Sequence, residues 1–132
     1  MPKLKHIAIV AMNPEELARF YVEVFEMEII DRSPTGGVFL SDGYFNVAIL
    51  PNRVEGKVNG INHFGFQVED GAVIAERLKK FKGLGPTKRP DNRYYAESRA
   101  TDPEGNAFDI SEHGFQKMEL GTERKARNKE KV

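Results

Sequence analysis

Three side chains of the kinds that bind metal ions stand in short apolar segments of this sequence. His6 opens the segment HIAIV, His63 opens HFGFQV, and Asp109 lies within AFDIS. Imidazole nitrogens and carboxylate oxygens are ligands that divalent first-row metal ions prefer, and three of them leave coordination positions open for water and substrate. Each residue alone is more often structural, so a metal site depends on whether the fold brings the three together.

The neighbours of these residues on the same strand face are small. Successive residues of a strand point to opposite faces, so Asp109 shares its face with Ala107 and Ser111, and His63 shares its face with Gly65. Two interpretations follow. Either the polar face meets water, or the small neighbours leave room for a group that the polar side chain holds.

The two histidines occupy equivalent positions of an internal duplication. Each begins a predicted strand that is followed by a helix with a good N-cap, Asn13 in the first half and Asp70 in the second. One offset of 57 residues superposes both histidines and both caps without gaps. If the repeats pack through a pseudo-twofold axis, both imidazoles project into one cavity, and Asp109 can supply a third ligand.

Each half predicts the element order βαβββ, which makes the chain an α+β protein. Apolar periodicity and turn signals place helices after Asn13 and Asp70, the first through Met27 and the second through Phe81. Residues 1–52 form the first module, 53–60 a linker, 61–114 the second module and 115–132 a charged tail expected to be frayed or disordered. The strands are predicted at 6–10, 28–31, 38–41, 44–50, 63–68, 87–89, 94–101 and 107–111.

Composition limits the partners and the compartment that we expect. The 132 residues include 20 basic and 20 acidic side chains, and this balance argues against a nucleic-acid partner. The absence of cysteine excludes disulfides and thiolate ligands. No apolar run approaches the roughly 18 residues that cross a bilayer, and the N-terminus lacks a signal-peptide pattern. We expect a cytoplasmic protein with neither nucleic acid nor membrane as a partner.

The segments HIAIV, NPEELARFYVEVFEMEII, GINHFGFQVED and DPEGNAFDI, in this order and spacing, resemble the vicinal oxygen chelate superfamily. That superfamily includes glyoxalases, fosfomycin-resistance transferases, bleomycin-resistance proteins, extradiol dioxygenases and methylmalonyl-CoA epimerases. The resemblance implies two tandem βαβββ modules that form a cupped mixed sheet around a metal site. It also implies that His6, His63 and Asp109 match the metal-ligand positions.

Three positions depart from the pattern of particular members. Asp109 stands where members commonly have Glu, and its side chain is one methylene shorter. Ala48 stands where glyoxalases and epimerases have a fourth ligand, so the three-ligand set resembles that of dioxygenases and fosfomycin-resistance transferases. Arg99 stands where the dioxygenases usually carry a Tyr.

The resemblance implies a metal-dependent enzyme acting on a small molecule with adjacent oxygen atoms. A dioxygenase-like oxidoreductase with Fe(II) is the first expectation, with Mn, Ni or Zn as other metals. A glyoxalase-like lyase or isomerase, or a fosfomycin-resistance-like transferase, is the alternative. A metal-free drug-binding protein like the bleomycin-resistance members is the alternative of another class. Family members of this size commonly form homodimers, which we expect here too.

Further polar residues are candidates for contact with the substrate. Lys88, Arg89, Arg93 and Arg99 either form a pocket for an anionic group or a solvated strand face. Tyr95 and Arg99 are the catalytic candidates. The candidates for substrate binding are Asn46, Gln67, Arg93, Tyr94 and Arg99.

Overall fold

The computed structural model describes residues 1–53, 56–90 and 96–113. The predicted charged tail, Arg93 and the neighbouring pair Tyr94 and Tyr95 lie outside these ranges. The contacts between residues divide the chain into two compact units. The first unit is Ile7–Asn62, and the second unit combines Met1–His6 with the described residues from His63 onward.

The first unit contains one helix and the strands that pair beside it. Its strands follow the order β2-β3-β4-β1, and both β2–β3 and β3–β4 are antiparallel. Strand β1 begins in the second unit and continues into the first. The elements are β1 (Lys3–Ala11), α1 (Pro14–Phe25), β2 (Glu28–Arg32), β3 (Val38–Ser41) and β4 (Asn46–Pro51).

The second unit repeats this arrangement of elements. Here the strand order is β1-β5-β8-β7-β6, in which β5–β8 is parallel and β8–β7 and β7–β6 are antiparallel. The sheet is therefore mixed, and the α+β class with two βαβββ repeats is confirmed. The elements are β5 (Gly60–Gln67), α2 (Gly71–Leu78), β6 (Thr87–Lys88), β7 (Ser98–Thr101) and β8 (Ala107–Ser111).

Both predicted helix caps are present. The Oδ1 atom of Asn13 accepts a hydrogen bond from the Glu16 amide at 3.2 Å. The Oδ1 atom of Asp70 accepts one from the Ala72 amide at 2.9 Å. Each cap satisfies an amide that has no carbonyl partner inside its helix, which fixes where each helix begins.

Helix α2 ends earlier than its apolar pattern predicts. It stops at Leu78, and the amides of Lys80 and Phe81 donate to carbonyls only three residues back. These tighter bonds close the helix with a 3₁₀-type turn. Phe81 consequently lies outside the helix and is exposed.

Strand β4 also begins later than predicted, at Asn46 rather than Tyr44. The carboxylate of Asp42 accepts hydrogen bonds from the amides of Tyr44 and Phe45, at 2.8 and 2.6 Å. These bonds hold both residues in the turn after β3. Strand β7 begins at Ser98 rather than at residue 94, and Tyr94 and Tyr95 lie outside the described ranges.

The core of the second unit determines which face of β8 carries the acid. Phe108 and Ile110 are buried in one apolar cluster, against which Ile74 and Leu78 of α2 pack. Because side chains alternate along a strand, Asp109 projects to the opposite face. The apolar packing of α2 therefore positions the carboxylate.

In the described part of the chain, no helix is long and apolar enough to cross a membrane.

Candidate metal centre

Three neighbouring strands carry the three predicted ligands. His6 lies in β1, His63 in β5 and Asp109 in β8, and these strands are adjacent in the order β1-β5-β8. Their exposed fractions are 4%, 7% and 1%. One ligand atom from each lies within 4.8 Å of the others. The fold thus brings the three residues into one buried cluster within the second unit.

The distances in this cluster suit neighbouring ligands of one ion. Asp109 Oδ2 lies 3.5 Å from His6 Nε2 and 3.1 Å from His63 Nε2. Two ligand atoms that each lie about 2.1 Å from a tetrahedral ion are about 3.4 Å apart. The imidazole rings meet edge to face, with centroids 5.8 Å apart. The donor types and the two distances from Asp109 therefore suit a divalent ion.

Gly65 makes room for the His6 ring. It pairs with Asp109 in the parallel ladder between β5 and β8. A Cβ atom at Gly65 would lie 1.9 Å from Cε1 and 2.3 Å from Nδ1 of His6. The sequence suggested that the space beside this small residue holds a bound group. In the structure, the His6 ring fills that space.

Arg99 joins the cluster from β7, where it pairs directly with Asp109 across the antiparallel ladder. Its Nε donates to Asp109 Oδ1 at 2.6 Å and its Nη2 to Oδ2 at 3.1 Å, so the ion pair is bidentate. The same Nη2 lies 3.2 Å from His63 Nε2. The Arg99 side chain is 28% exposed, so it lies between the buried cluster and solvent.

Two groups of the cluster have displaced pKa values. Burial is the largest single effect on Asp109 and raises its pKa, but hydrogen bonds from His6, His63 and Arg99 together lower that pKa well below its ordinary value. For His6, burial is also the largest effect, and it lowers the pKa against the opposing attraction of Asp109. An ionised carboxylate and a neutral imidazole are the forms that bind a metal ion.

The other candidate residues have different environments. Gln67 ends β5, where it pairs with Ser111. Asn46 lies in the first unit, buried and paired with Ser41. Lys88 is exposed on β6. The candidates Arg93, Tyr94 and Tyr95 lie outside the described residues.

Sequence reasoning named Arg99 as a candidate for catalysis and for substrate binding but missed its pairing with Asp109. The sequence feature that indicates this pairing is the turn in the segment DPEGN. Asp102 Oδ1 accepts the amides of Glu104 and Asn106, each at 2.9 Å. This turn joins β7 to β8 and fixes a register in which Arg99 lies opposite Asp109.

A sequence model of the Glyoxalase/Bleomycin resistance protein/Dioxygenase superfamily matches residues 3–110. The chain belongs to this superfamily, whose members usually bind a divalent metal ion. The resemblance inferred from the sequence segments is thereby confirmed. Among proteins with curated descriptions, none matches the sequence.

Solved structures share the fold at low sequence identity. A hypothetical protein from Bacillus halodurans C-125 is 18% identical, with a TM-score of 0.65 and coverage of 83% of this chain and 92% of that one. Methylmalonyl-CoA epimerase from Streptomyces coelicolor is 17% identical, with a TM-score of 0.64 and coverage of 86% and 96%. The 2,3-dioxygenase LapB from Pseudomonas sp. KL28 is 19% identical, with a TM-score of 0.65 and coverage of 83% and 40%. These likenesses concern the fold alone.

Proposed function

We propose that this protein is a divalent-metal-dependent enzyme that acts on a small molecule with adjacent oxygen atoms, in the manner of a dioxygenase-like oxidoreductase. One observation carries the proposal. Ligand atoms of His6, His63 and Asp109 lie within 4.8 Å of one another in a buried cluster. Two imidazoles and one carboxylate are the usual ligands of non-haem Fe(II) in oxygen chemistry.

The residues have separate roles in this proposal. His6 and His63 each provide a ring nitrogen, and Asp109 provides a negative charge at the same point. When bound, a divalent ion supplies a Lewis acid that stabilises negative charge developing on a substrate oxygen. Hydrogen-bonded strands hold all three side chains, which keeps the ligand positions fixed before substrate binds. Arg99 remains the proposed contact for an anionic part of the substrate.

Fe(II) is the metal that we favour, with Mn, Ni and Zn as alternatives. The proposed ligands are two histidines and one aspartate, and Ala48 stands at the position of the fourth ligand. The site therefore has one ligand fewer than a glyoxalase-type site. This smaller set leaves more coordination positions for the substrate and for oxygen. Glyoxalase-like isomerisation and fosfomycin-type transfer are the competing reactions within the superfamily.

The first experiment is metal analysis of the protein purified without added metal and after anaerobic loading with Fe(II), Mn, Ni or Zn. We expect about one equivalent per chain, lost in His63→Ala. The matched control is His113→Ala, which removes an exposed histidine next to β8 and should keep the metal. Binding in neither protein, or equal binding in His63→Ala, contradicts the proposal.

The second experiment separates the reactions. Oxygen consumption with catechols by the Fe(II) protein supports dioxygenase chemistry. Isomerisation of a hemithioacetal without oxygen uptake supports the glyoxalase-like alternative instead. The His63→Ala variant should lose whichever activity the wild type has, whereas His113→Ala should retain it.

A metal-free binding protein is the second candidate, and one observation favours it. Arg99 makes a bidentate ion pair with Asp109, so the carboxylate has a cationic partner within the chain itself. In this case the protein would bind a small drug-like molecule without catalysis. Failure to load any of the four metals, together with ligand binding that survives His63→Ala, would support this function.

Self-association as a homodimer is part of the proposal. Helix α1 presents Phe20, Val24 and Phe25 to solvent, with exposed fractions of 49%, 55% and 63%. Apolar side chains grouped in this way are typical of protein interfaces. Sedimentation equilibrium should give a dimer for the wild type, and Phe20→Glu with Phe25→Glu should give a monomer. A monomeric wild type contradicts this part.

A further inference from the structure

We propose that the Arg99 guanidinium is the resident cation of this site and that a metal ion binds by displacing it from Asp109. The inference rests on the proposed metal-binding function and adds a property of this chain to it. The metal site would then exchange one cation for another, with Arg99 setting how tightly an ion is held.

The guanidinium and a metal ion compete for the same ligand atoms. Arg99 donates to both oxygens of Asp109, at 2.6 and 3.1 Å. Its Nη2 also lies 3.2 Å from His63 Nε2, the nitrogen that would bind an ion. Two like charges at one buried carboxylate also repel. Occupation by either cation therefore weakens the binding of the other.

The geometry allows the exchange through one side chain. The Asp109 side chain is 2% exposed, whereas the Arg99 side chain is 28% exposed. Arg99 can turn towards solvent, where water hydrates its charge, while the carboxylate stays among the buried ligands. The long, flexible arginine side chain is the part that moves, and no strand has to shift.

The internal repeat indicates that the arginine accompanies the acid. In the first unit, the third and fourth strands of the repeat pair Phe39 with Ala48. In the second unit, the corresponding strands pair Arg99 with Asp109. The cation and the carboxylate are thus both present in one repeat and both replaced by apolar residues in the other, as a matched pair would be.

The test is the affinity for Zn²⁺ and Co²⁺, measured by competition with a chromophoric chelator. Arg99→Met removes the competing charge and should bind either ion about ten- to a hundredfold more tightly than the wild type, the ratio that a charged hydrogen bond accounts for. Adding His63→Ala to this variant should abolish the gain.

The chain offers a matched control for the loss of an arginine. Arg32 makes a bidentate ion pair with Glu15, at 2.6 and 3.2 Å, but both side chains are more than half exposed. Arg32→Met therefore removes an ion pair of the same shape that is far more exposed. Its metal affinity should equal that of the wild type.

Two further measurements test the inference even if Arg99→Met does not fold. Arg99→Gln keeps an N–H donor without the charge and should also bind the ions more tightly. In the wild type, the Arg99 Nε–H resonance, assigned by its absence in Arg99→Gln, should shift when Zn²⁺ saturates the site. The Arg32 resonance should stay in place.

The outcomes distinguish this inference from the proposed function. Equal affinities in the wild type and both Arg99 variants, or an unmoved Arg99 resonance at saturating Zn²⁺, overturn the inference and leave metal binding intact. Absence of binding in the wild type and in both variants overturns the inference and the metal-dependent function together.

Discussion

The two repeats have the same sequence of elements and very different chemistry. Both begin with a strand, a capped helix and a three-strand continuation, and both bury an apolar cluster. At equivalent places, however, one repeat pairs Phe39 with Ala48 and the other pairs Arg99 with Asp109. The scaffold can evidently carry either pair, so the fold does not require the charges.

His6 belongs to one repeat by its sequence position and to the other unit by its contacts. It stands in the first repeat of the sequence, yet its contacts place it in the second unit, beside His63 and Asp109. A duplicated fold can therefore collect polar groups from both repeats at one place. Ionisable groups that are buried together stabilise one another, whereas any of them alone would be unfavourable.

Removing the carboxylate should have the largest effect. Asp109→Ala is expected to lower the free energy of unfolding of the metal-free protein by about 3–5 kcal/mol, because it breaks a buried charge pair. The double replacement Arg99→Phe with Asp109→Ala recreates the pair of the first repeat and should be less destabilising than Asp109→Ala alone. Urea unfolding measures both, and a loss under about 1 kcal/mol for Asp109→Ala would mean that the pair is unimportant.

A methyl group at Gly65 should have the next largest effect. Gly65→Ala forces its Cβ against the His6 ring and should destabilise the protein by about 1–3 kcal/mol, as overpacking does. The equivalent position of the first repeat is already an alanine, Ala8. Adding His6→Ala removes the obstruction, so thermal unfolding of the double variant should show strong non-additivity. Additive effects of the two changes would disprove the close approach.

The helix caps should give smaller and equal effects in the two repeats. Asn13→Ala and Asp70→Ala each remove one side-chain acceptor from a helix N-terminus. We expect each to lower the free energy of unfolding by about 1 kcal/mol. Equal losses would show that the repeats are equivalent as scaffolds and differ only in their chemistry. A loss confined to one of them would show that the scaffolds differ as well.

The smallest expected effect is on pH dependence, since burial lowers the pKa of His6 and the attraction of Asp109 opposes that effect. Unfolded His6 takes up a proton near its ordinary value of 6.5, whereas the folded ring, whose pKa is lowered, does so at lower pH. The unfolded state therefore binds more protons in this window, and stability falls as pH decreases from about 7. His6→Gln should reduce that slope. An identical slope in His6→Gln would contradict the neutral, buried state of His6.

Much of the fold followed from local signals in the sequence. The caps at Asn13 and Asp70 and the bounds of the strands Val38–Ser41 and Ala107–Ser111 agree with the structure. The repeat also indicated that the two histidines and Asp109 meet. These features depend on alternation, apolar periodicity and capping, which neighbouring residues determine.

Other features depend on packing in three dimensions and were outside the reach of local patterns. The closeness of Gly65 to the His6 ring requires the strand order, and the ion pair of Arg99 requires the register of the last two strands. The apolar face of α1 in the sequence is also broader than the part of the helix that is buried in the structure. Ala18 is buried, whereas Phe20 and Phe25 remain exposed, because periodicity alone does not say how much of an apolar face a sheet covers.

The most direct test is anomalous diffraction from crystals grown with Mn²⁺ or Zn²⁺. The proposed centre predicts a single strong anomalous peak within about 2.2 Å of His6 Nε2, His63 Nε2 and Asp109 Oδ2, with the Arg99 guanidinium turned away from Asp109. A map without a peak among these atoms at saturating metal, with Arg99 still paired to Asp109, would contradict the metal centre.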